Sequence, residues 1–265
     1  MVIQQLLDIM ARLRDPHSGC PWDVKQTWQS IIPHTLEEVY EVADAVDRQD
    51  TAALRDELGD LLFQVVFLAQ IAQEQGLFDF NDVVEGISQK MLRRHPHVFG
   101  ATVYADEREQ KQAWETIKQA ERTDKGVNDG FFAGIPHAMP ALRRSQKLQQ
   151  RAARVGFDWD QWQQVIPKIH EELGEVQDAV RLGESQARIE EEVGDVLMGA
   201  TNLARLLGVN AENALRVSNR KFEQRFLRVE ALLQAQGITL EDASLEQMEN
   251  AWLIVKQEEK TTGGS

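Results

Sequence analysis

The sequence predicts an all-α fold, a tandem repeat of two helical-bundle domains, and three observations predict it. Apolar residues recur at helical spacing over most of the 265-residue chain. The composition leans to Leu, Ala, Gln, Glu and Arg, with only seven prolines and two tyrosines, which favours helix over strand. One polar motif occurs twice, about half a chain apart. The length suits two domains, and 42% hydrophobic residues suffices for packed cores.

Taken in order, Ile3, Leu6, Leu7, Met10 and Leu13 mark a first amphipathic helix, and Leu36, Val39, Val42, Ala43 and Val46 a second. Leu54–Glu74 reads as one long helix that starts polar and turns almost wholly apolar. The periodic pattern breaks over Thr123–Gly134, where Asp124, Gly126, Asn128, Asp129, Gly130 and Gly134 cluster. That break divides the chain into domains 1–122 and 135–260 with a linker at about 123–134. Pro136 and Pro140 precede a new helix over Ala141–Ala153, and the tail Thr261–Ser265 reads as irregular.

Composition excludes some roles. A net charge of −14 argues against nucleic-acid or anionic-membrane binding, which need basic surfaces. An anionic small substrate remains open, provided that a cation or a locally basic pocket receives it. The lone Cys20 cannot form an intrachain disulfide, which fits a reducing compartment. Met1–Arg14 lacks the apolar core and cleavage site of a signal peptide. The most apolar run, Leu61–Ala72, is broken by Gln64 and Gln70 and is too short to span a membrane. A cytoplasmic protein with no membrane partner is expected.

The repeated motif carries the chemistry. The first copy reads Glu37-Glu38-x-x-Glu41, fifteen intervening residues, then Glu57-Leu58-Gly59-Asp60. The second reads Glu171-Glu172-x-x-Glu175, sixteen residues, then Glu192-Val193-Gly194-Asp195. A Lys-x-x-x-Arg pair follows each, Lys90/Arg94 and Lys221/Arg225, and a Trp-x-x-x-Lys pair closes each, Trp114/Lys118 and Trp252/Lys256. Offsets between partners stay within 131 to 138 residues, so the chain is internally duplicated.

Residues three or four apart share a helix face. Glu172 and Glu175 therefore point one way, as do Glu192 and Asp195 on the next helix after a turn at Gly183. An antiparallel pair gathers four carboxylates, whose mutual repulsion near a core costs several kcal/mol or forces protonation. Divalent cations resolve it, and Mg²⁺ suits carboxylate oxygens completed by water and phosphate, with Mn²⁺ as substitute. Lys221 and Arg225 on one face suit phosphate oxygens, although such pairs also occur as plain surface charge. Trp252 either packs in the core or offers a face to a base. A Glu-x-x-Glu alone would be a solvated face; its repetition with the same basic and aromatic sequel points to a site.

Other motifs are weak or missing. His95-Pro96-His97 reads as a helix terminus rather than a metal pair. Walker A, Gly-x-Gly-x-x-Gly, EF-hand, Gly-x-Ser-x-Gly and Glu-x-x-His patterns do not occur.

The Glu-Glu-x-x-Glu…Glu-x-x-Asp signature resembles that of the all-α nucleotide pyrophosphohydrolase superfamily, which includes dimeric dUTPases, phosphoribosyl-ATP pyrophosphatase and MazG. The resemblance is strongest to the bacterial two-domain MazG family. It is carried by Arg14-Asp15-Pro16, Gly19-Cys20-Pro21-Trp22-Asp23, the run Glu57–Phe67, Arg93-Arg94-His95-Pro96-His97-Val98-Phe99 and Val155-Gly156-Phe157-Asp158-Trp159. It implies a homodimer that hydrolyses nucleoside triphosphates to monophosphate and pyrophosphate with broad base tolerance. The resemblance places the metal on Glu172, Glu175, Glu192 and Asp195. Substrate contacts fall on Lys168, Glu171, Arg188, Glu191, Lys221, Arg225, Trp252 and Lys256. The implied catalytic set is Glu171, Glu172, Glu175, Lys221 and Arg225, with either Glu171 or Glu175 accepting the proton of the attacking water.

The two copies differ in their cations. Lys168 aligns with His34 and Arg188 with Ala53, so the first copy (Glu38, Glu41, Glu57, Asp60) lacks two positive charges where a triphosphate would lie. The second copy is expected to carry most of the activity. A non-enzymatic helical regulator, with the motif degenerate or merely metal-binding, would turn over no nucleotide, and a pure dimerisation scaffold would need apolar faces but not four carboxylates with downstream Lys and Arg.

Overall fold

A computed structural model describes residues 2–124 and 130–262. The chain divides into two compact units, Met1–Glu121 and Arg122–Ser265. Every regular element among the described residues is helical. The first unit contains α1 (Val2–Leu13), α2 (Pro21–Lys25), α3 (Trp28–Asp47), α4 (Thr51–Glu74), α5 (Phe80–Arg94), α6 (Pro96–Phe99) and α7 (Glu107–Asp124). The second contains α8 (Ala141–Ala153), a 3₁₀ turn (Trp162–Gln164), α9 (Val165–Leu182), α10 (Gln186–Leu206), α11 (Ala211–Ala235) and α12 (Leu245–Thr262).

α7 runs to Asp124, two residues into the stretch that reads as a linker, and 125–129 lie outside the described residues. Gly130 and Gly134 adopt positive φ beyond it. Thr261 and Thr262 continue α12, contrary to the irregular tail expected from sequence, while 263–265 lie outside the description. Leu245–Thr262 is long enough to carry its last turn past Lys260, whose charge suits a helix C-terminus.

In the first unit Met10, Ile31, Val66, Phe67 and Ile71 form a buried cluster, flanked by Leu6, Leu7, Trp28, Phe63, Leu68 and Phe80. Much of the apolar run of α4 is thus covered by α1, α3 and the start of α5 within the same unit. Arg14 fixes the end of α1. Its guanidinium binds Glu74 of α4 at 2.8 and 2.6 Å, donates to the Asp23 and Gln26 carbonyls, and lies 5.2 Å from the Phe67 ring centre. Gly19 is required beside it, since a Cβ there would meet the Leu13 carbonyl oxygen at 2.4 Å.

In the second unit Val229, Leu233, Ala251 and Val255 join α11 to α12. The α8 side chains tie α10 to α11: Ser145 bonds Thr201 at 2.7 Å, and buried Gln146 donates to the Val209 carbonyl while accepting from Ala211 N–H. No described helix is long and apolar enough to cross a membrane.

Candidate functional site

Two tight reversals build the sites. α9 ends on Gly183 in the left-handed conformation, φ 66°, with Glu184 N–H returning to the Ala179 carbonyl at 3.0 Å. Ser185 then caps α10 by accepting from Arg188 N–H. In the first unit Gln49 takes the left-handed position, φ 56°, and Asp50 caps α4 through Ala52 and Ala53 N–H. Such caps satisfy the orphan donors of a helix start and fix where the next helix begins. Both motifs therefore fall on antiparallel pairs, α3–α4 and α9–α10.

On α9–α10, carboxylate oxygens of Glu172, Glu192 and Asp195 all lie within 4.8 Å of one another. Glu192 is 2% exposed and Glu172 8%, burial that a carboxylate tolerates only with compensation. Part of the compensation is covalently attached. Lys168 Nζ lies 2.9 Å from Glu171 and 3.0 Å from Glu172, and Arg188 pairs with Glu191 at 2.7 Å and with buried Glu192. Glu171 and Glu172 hold the Lys168 ammonium above its usual range, and Glu191, then Glu192 and Glu184, do the same for Arg188. Glu175 adjoins the set: its hydrogen bond to Glu172, burial, and the charge of Glu192 push its carboxyl up.

On α3–α4, oxygens of Glu38, Glu41 and Glu57 gather within the same 4.8 Å. Burial, then the charges of Asp60, Glu41 and Glu37, raises Glu38 despite a hydrogen bond from Gln64. Burial and a hydrogen bond shared with Glu41 raise Glu57, with Asp60 adding to it. Here the aligned positions are His34, 3.9 Å from Glu37, and Ala53.

Lys221, Arg225, Trp252 and Lys256 lie on the other helix pair of the second unit, α11–α12. Arg225 binds Glu259 at 2.9 and 2.7 Å and sits 5.8 Å from the centre of the Trp252 ring, which also meets Phe222 at 5.4 Å. The structure thus gives Trp252 a packed role, against the α11–α12 core, on one of its faces. Arg225, then Arg228 and Lys221, hold the Glu259 carboxyl low. Lys256 is exposed on α12.

Three contributors escape a reading of the carboxylate motif alone. Glu259 is one, and its counterpart Glu121 binds Arg94 at 2.6 Å in the first unit. Both glutamates stand seven residues after the motif tryptophan, Trp114 and Trp252, so the signal was present in the spacing. Gln64 is another, buried and 3.3 Å from Glu38. Its equivalent position in the second copy is Gly199, where a Cβ would press to 3.0 Å on Ile169 of α9. That glycine lets α9 and α10 approach closely.

His95 and His97 do not form a metal pair. His95 Nδ1 donates to the Met91 carbonyl at 2.8 Å, His97 Nε2 meets the Gln110 amide at 3.0 Å, and the break falls between α5 and α6.

The acidic sets suit a hard divalent cation. Their donors are all oxygens, and in each copy several carboxylates converge with more negative charge than the neighbouring cations offset. The pattern of the motif also matches known proteins. The model of the MazG nucleotide pyrophosphohydrolase domain matches residues 26–99 and 161–229, the two segments that hold the acidic helix pairs.

The chain belongs to the MazG nucleotide pyrophosphohydrolase family. It is 51% identical over 258 residues to the nucleoside triphosphate pyrophosphohydrolase of Escherichia coli (strain K12), covering 97% of this chain and 98% of that protein. It is 39% identical over 264 residues to the nucleoside triphosphate pyrophosphohydrolase/pyrophosphatase MazG of Thermotoga maritima, covering 100% and 97%. A crystal structure of a mazG-related protein from Thermotoga maritima aligns at 29% identity and a TM-score of 0.38, covering 44% of this chain and 98% of that one. Two MazG segments in one chain account for the duplicated spacing.

Proposed function

We propose that this chain hydrolyses nucleoside triphosphates to nucleoside monophosphate and pyrophosphate, at the acidic set of α9–α10. The observation that carries the reading is the convergence of Glu172, Glu192 and Asp195, with Glu175 adjoining, beside two cations already attached to the same helices. Full-length MazG relatives named for this activity support it.

In this reading Glu172, Glu175, Glu192 and Asp195 hold Mg²⁺, or Mn²⁺ in its place. The ion would neutralise phosphate charge and acidify the attacking water. Lys168 and Arg188, released from the carboxylates they now pair with, turn to the phosphate oxygens, and Glu171 and Glu191 orient them. Glu171 or Glu175 accepts the proton of the water. Lys221, Arg225 and Lys256 stabilise charge developing on the phosphoryl and leaving oxygens, which is generally a dominant catalytic contribution. Arg225 must then share itself between substrate and Glu259. Trp252 offers the ring face not engaged by Phe222.

Broad base tolerance, a homodimer and a cytoplasmic setting complete the proposal. The first copy holds its own acidic set without the paired Lys and Arg, and is structural, regulatory or specific for another ligand.

The test is product analysis. Purified protein with each common nucleoside triphosphate and Mg²⁺ should release monophosphate and pyrophosphate, and chelator should stop it. Nucleoside diphosphate plus orthophosphate as first products would exclude the reaction.

A further inference from the structure

Gln64 stands in the most apolar run of α4, beside buried Val66 and Phe67, and is itself only 7% exposed. Its Nε2 donates to Glu38 Oε1 at 3.3 Å. Its Oε1 is buried and has no hydrogen-bond partner among the described residues. A buried acceptor left unmade costs roughly 1–3 kcal/mol, so the amide destabilises the place it occupies. The helix pair does not demand it there, because the same position of the second copy is Gly199.

Helix register shows what the amide faces. Glu57, Asp60 and Gln64 recur at steps of three and four residues, so they share one face of α4. That face meets α3, where oxygens of Glu38 and Glu41 lie within 4.8 Å of each other and of an oxygen of Glu57. The Gln64 amide reaches the same carboxylates through Glu38. Its nitrogen is thus spent on the acidic set, and its oxygen, on the same planar group, stands at the edge of that set with its lone pairs unused.

Charge separates this set from its counterpart. In the second unit Lys168 and Arg188 pair with Glu172 and Glu192. His34 and Ala53 take those places in the first, so its carboxylates keep more of their negative charge. Magnesium at a catalytic site usually keeps water and substrate phosphate on part of its sphere, with only one or two carboxylates. A cation caged by protein alone takes several carboxylates together with neutral carbonyl oxygens, those of Asn and Gln included. Three converging carboxylates and a buried amide oxygen match the second kind of site.

We propose that the first unit holds a divalent cation in the absence of any nucleotide, ligated by Glu38, Glu41 and Glu57 and completed by the carbonyl oxygen of Gln64. The cation does for α3 and α4 what Lys168 and Arg188 do for α9 and α10. The second unit, already partly neutralised, takes its cation with the triphosphate. That contrast rests on the catalytic reading given above, and the first-unit cation does not.

Mn²⁺ is a suitable probe, because electron paramagnetic resonance counts its free form directly. In the full-length chain without nucleotide, micromolar Mn²⁺ should bind in a component that survives Glu172→Gln and vanishes with Glu38→Gln. Gln64→Met keeps the length of the side chain without its oxygen, and should weaken that component about tenfold or more. Gln64→Glu keeps an oxygen in the same place but, ionised, has no N–H for Glu38. It should hold Mn²⁺ at least as tightly as wild type. Circular dichroism checks that every variant stays helical. Equal affinity in wild type and Gln64→Met would overturn the proposal. Equal weakening in both Gln64 variants would do the same, since the N–H and not the oxygen would then matter. So would a nucleotide-free component lost with Glu172→Gln and kept with Glu38→Gln, or no such component in wild type. Failure of the catalytic reading looks different: wild-type protein would release no pyrophosphate and would still bind Mn²⁺ through Glu38.

Discussion

At the scale of single residues, the two acidic sets differ less in their carboxylates than in what stands beside them. Lys168 and Arg188 reach the carboxylates of α9 and α10, whereas His34 and Ala53 occupy the aligned places near α3 and α4. On the proposed reading, two charge-assisted bonds to phosphate, each worth roughly 1.5–3 kcal/mol, would separate the copies by several orders of magnitude in occupancy or rate. Glu172→Gln should therefore abolish pyrophosphate release, and Glu38→Gln should leave most of it, with both variants checked for fold by circular dichroism. The reverse pattern would place the working site in the first unit. A second residue-scale prediction concerns Arg14 and Glu74. Burial disfavours the Glu74 carboxylate, but hydrogen bonds from Arg14 and Gln70 outweigh it and hold the group below its usual range. A depressed carboxyl contributes stability above its unfolded value, near 4.3, and loses that contribution as pH falls through the folded value. Glu74→Gln should cost about 2 kcal/mol in urea unfolding at pH 7, given that Arg14 is almost fully buried. The gap between variant and wild type should begin to narrow as pH falls below the unfolded value and should go on narrowing through the lower folded value. A gap that is constant with pH would mean the pair is not the source of the stability.

At the scale of elements, glycines inside the site helices raise a separate question. A Cβ added at Gly59, Gly174 or Gly194 would meet nothing within 4 Å. Helix-interior glycine costs about 0.5–1 kcal/mol relative to alanine, so packing within the chain does not demand it at these places. Gly194 lies between Glu192 and Asp195, where a ligand of the proposed site would approach the backbone. Gly194→Ala should raise or preserve the melting temperature while lowering kcat/KM severalfold. Unaltered kinetics would show that nothing approaches that backbone. The helices themselves were legible in the sequence because their signal is local: period, proline breaks at Pro96 and Pro140, and the turn at Gly183 all reside in a few neighbouring residues. The convergence of three of the four carboxylates in each copy was legible for the same reason, since i, i+3 spacing fixes a face; the tightest groups leave out Asp60 in the first copy and Glu175 in the second. What escaped was long-range. The spacing repeats Glu259 seven residues after Trp252, as Glu121 is after Trp114, but only the packing of α12 on α11 reveals that Glu259 holds Arg225.

At the scale of the whole molecule, each unit has its own covered core and leaves apolar residues on the surface. Much of the apolar run of α4 is buried by α1, α3 and α5. Among the residues left exposed are Leu58, one turn before that run, and Leu62 at its start on α4, with Val193, Leu197 and Met198 on the corresponding part of α10. They flank the acidic motifs, and a homodimer formed through them should sediment at about twice the chain mass at micromolar concentration, whereas Leu197→Glu should yield monomer. A wild-type monomer under those conditions would end the dimer proposal.

The attached cations of the second unit have a consequence for behaviour in metal-poor solution. Lys168 and Arg188 are counter-ions on a leash: their local concentration is set by side-chain length and does not fall when the bulk is stripped by a chelator or diluted. On the proposed reading the first unit would have to draw its counter-ions from the bulk, so its helix pair would be stabilised by mass action and would lose that stabilisation when they are removed. Chelation should therefore loosen α3 and α4 before α9 and α10, and hydrogen exchange followed peptide by peptide would show it as faster exchange confined to the first unit. Equal loss of protection in both pairs would mean that the leash confers no advantage.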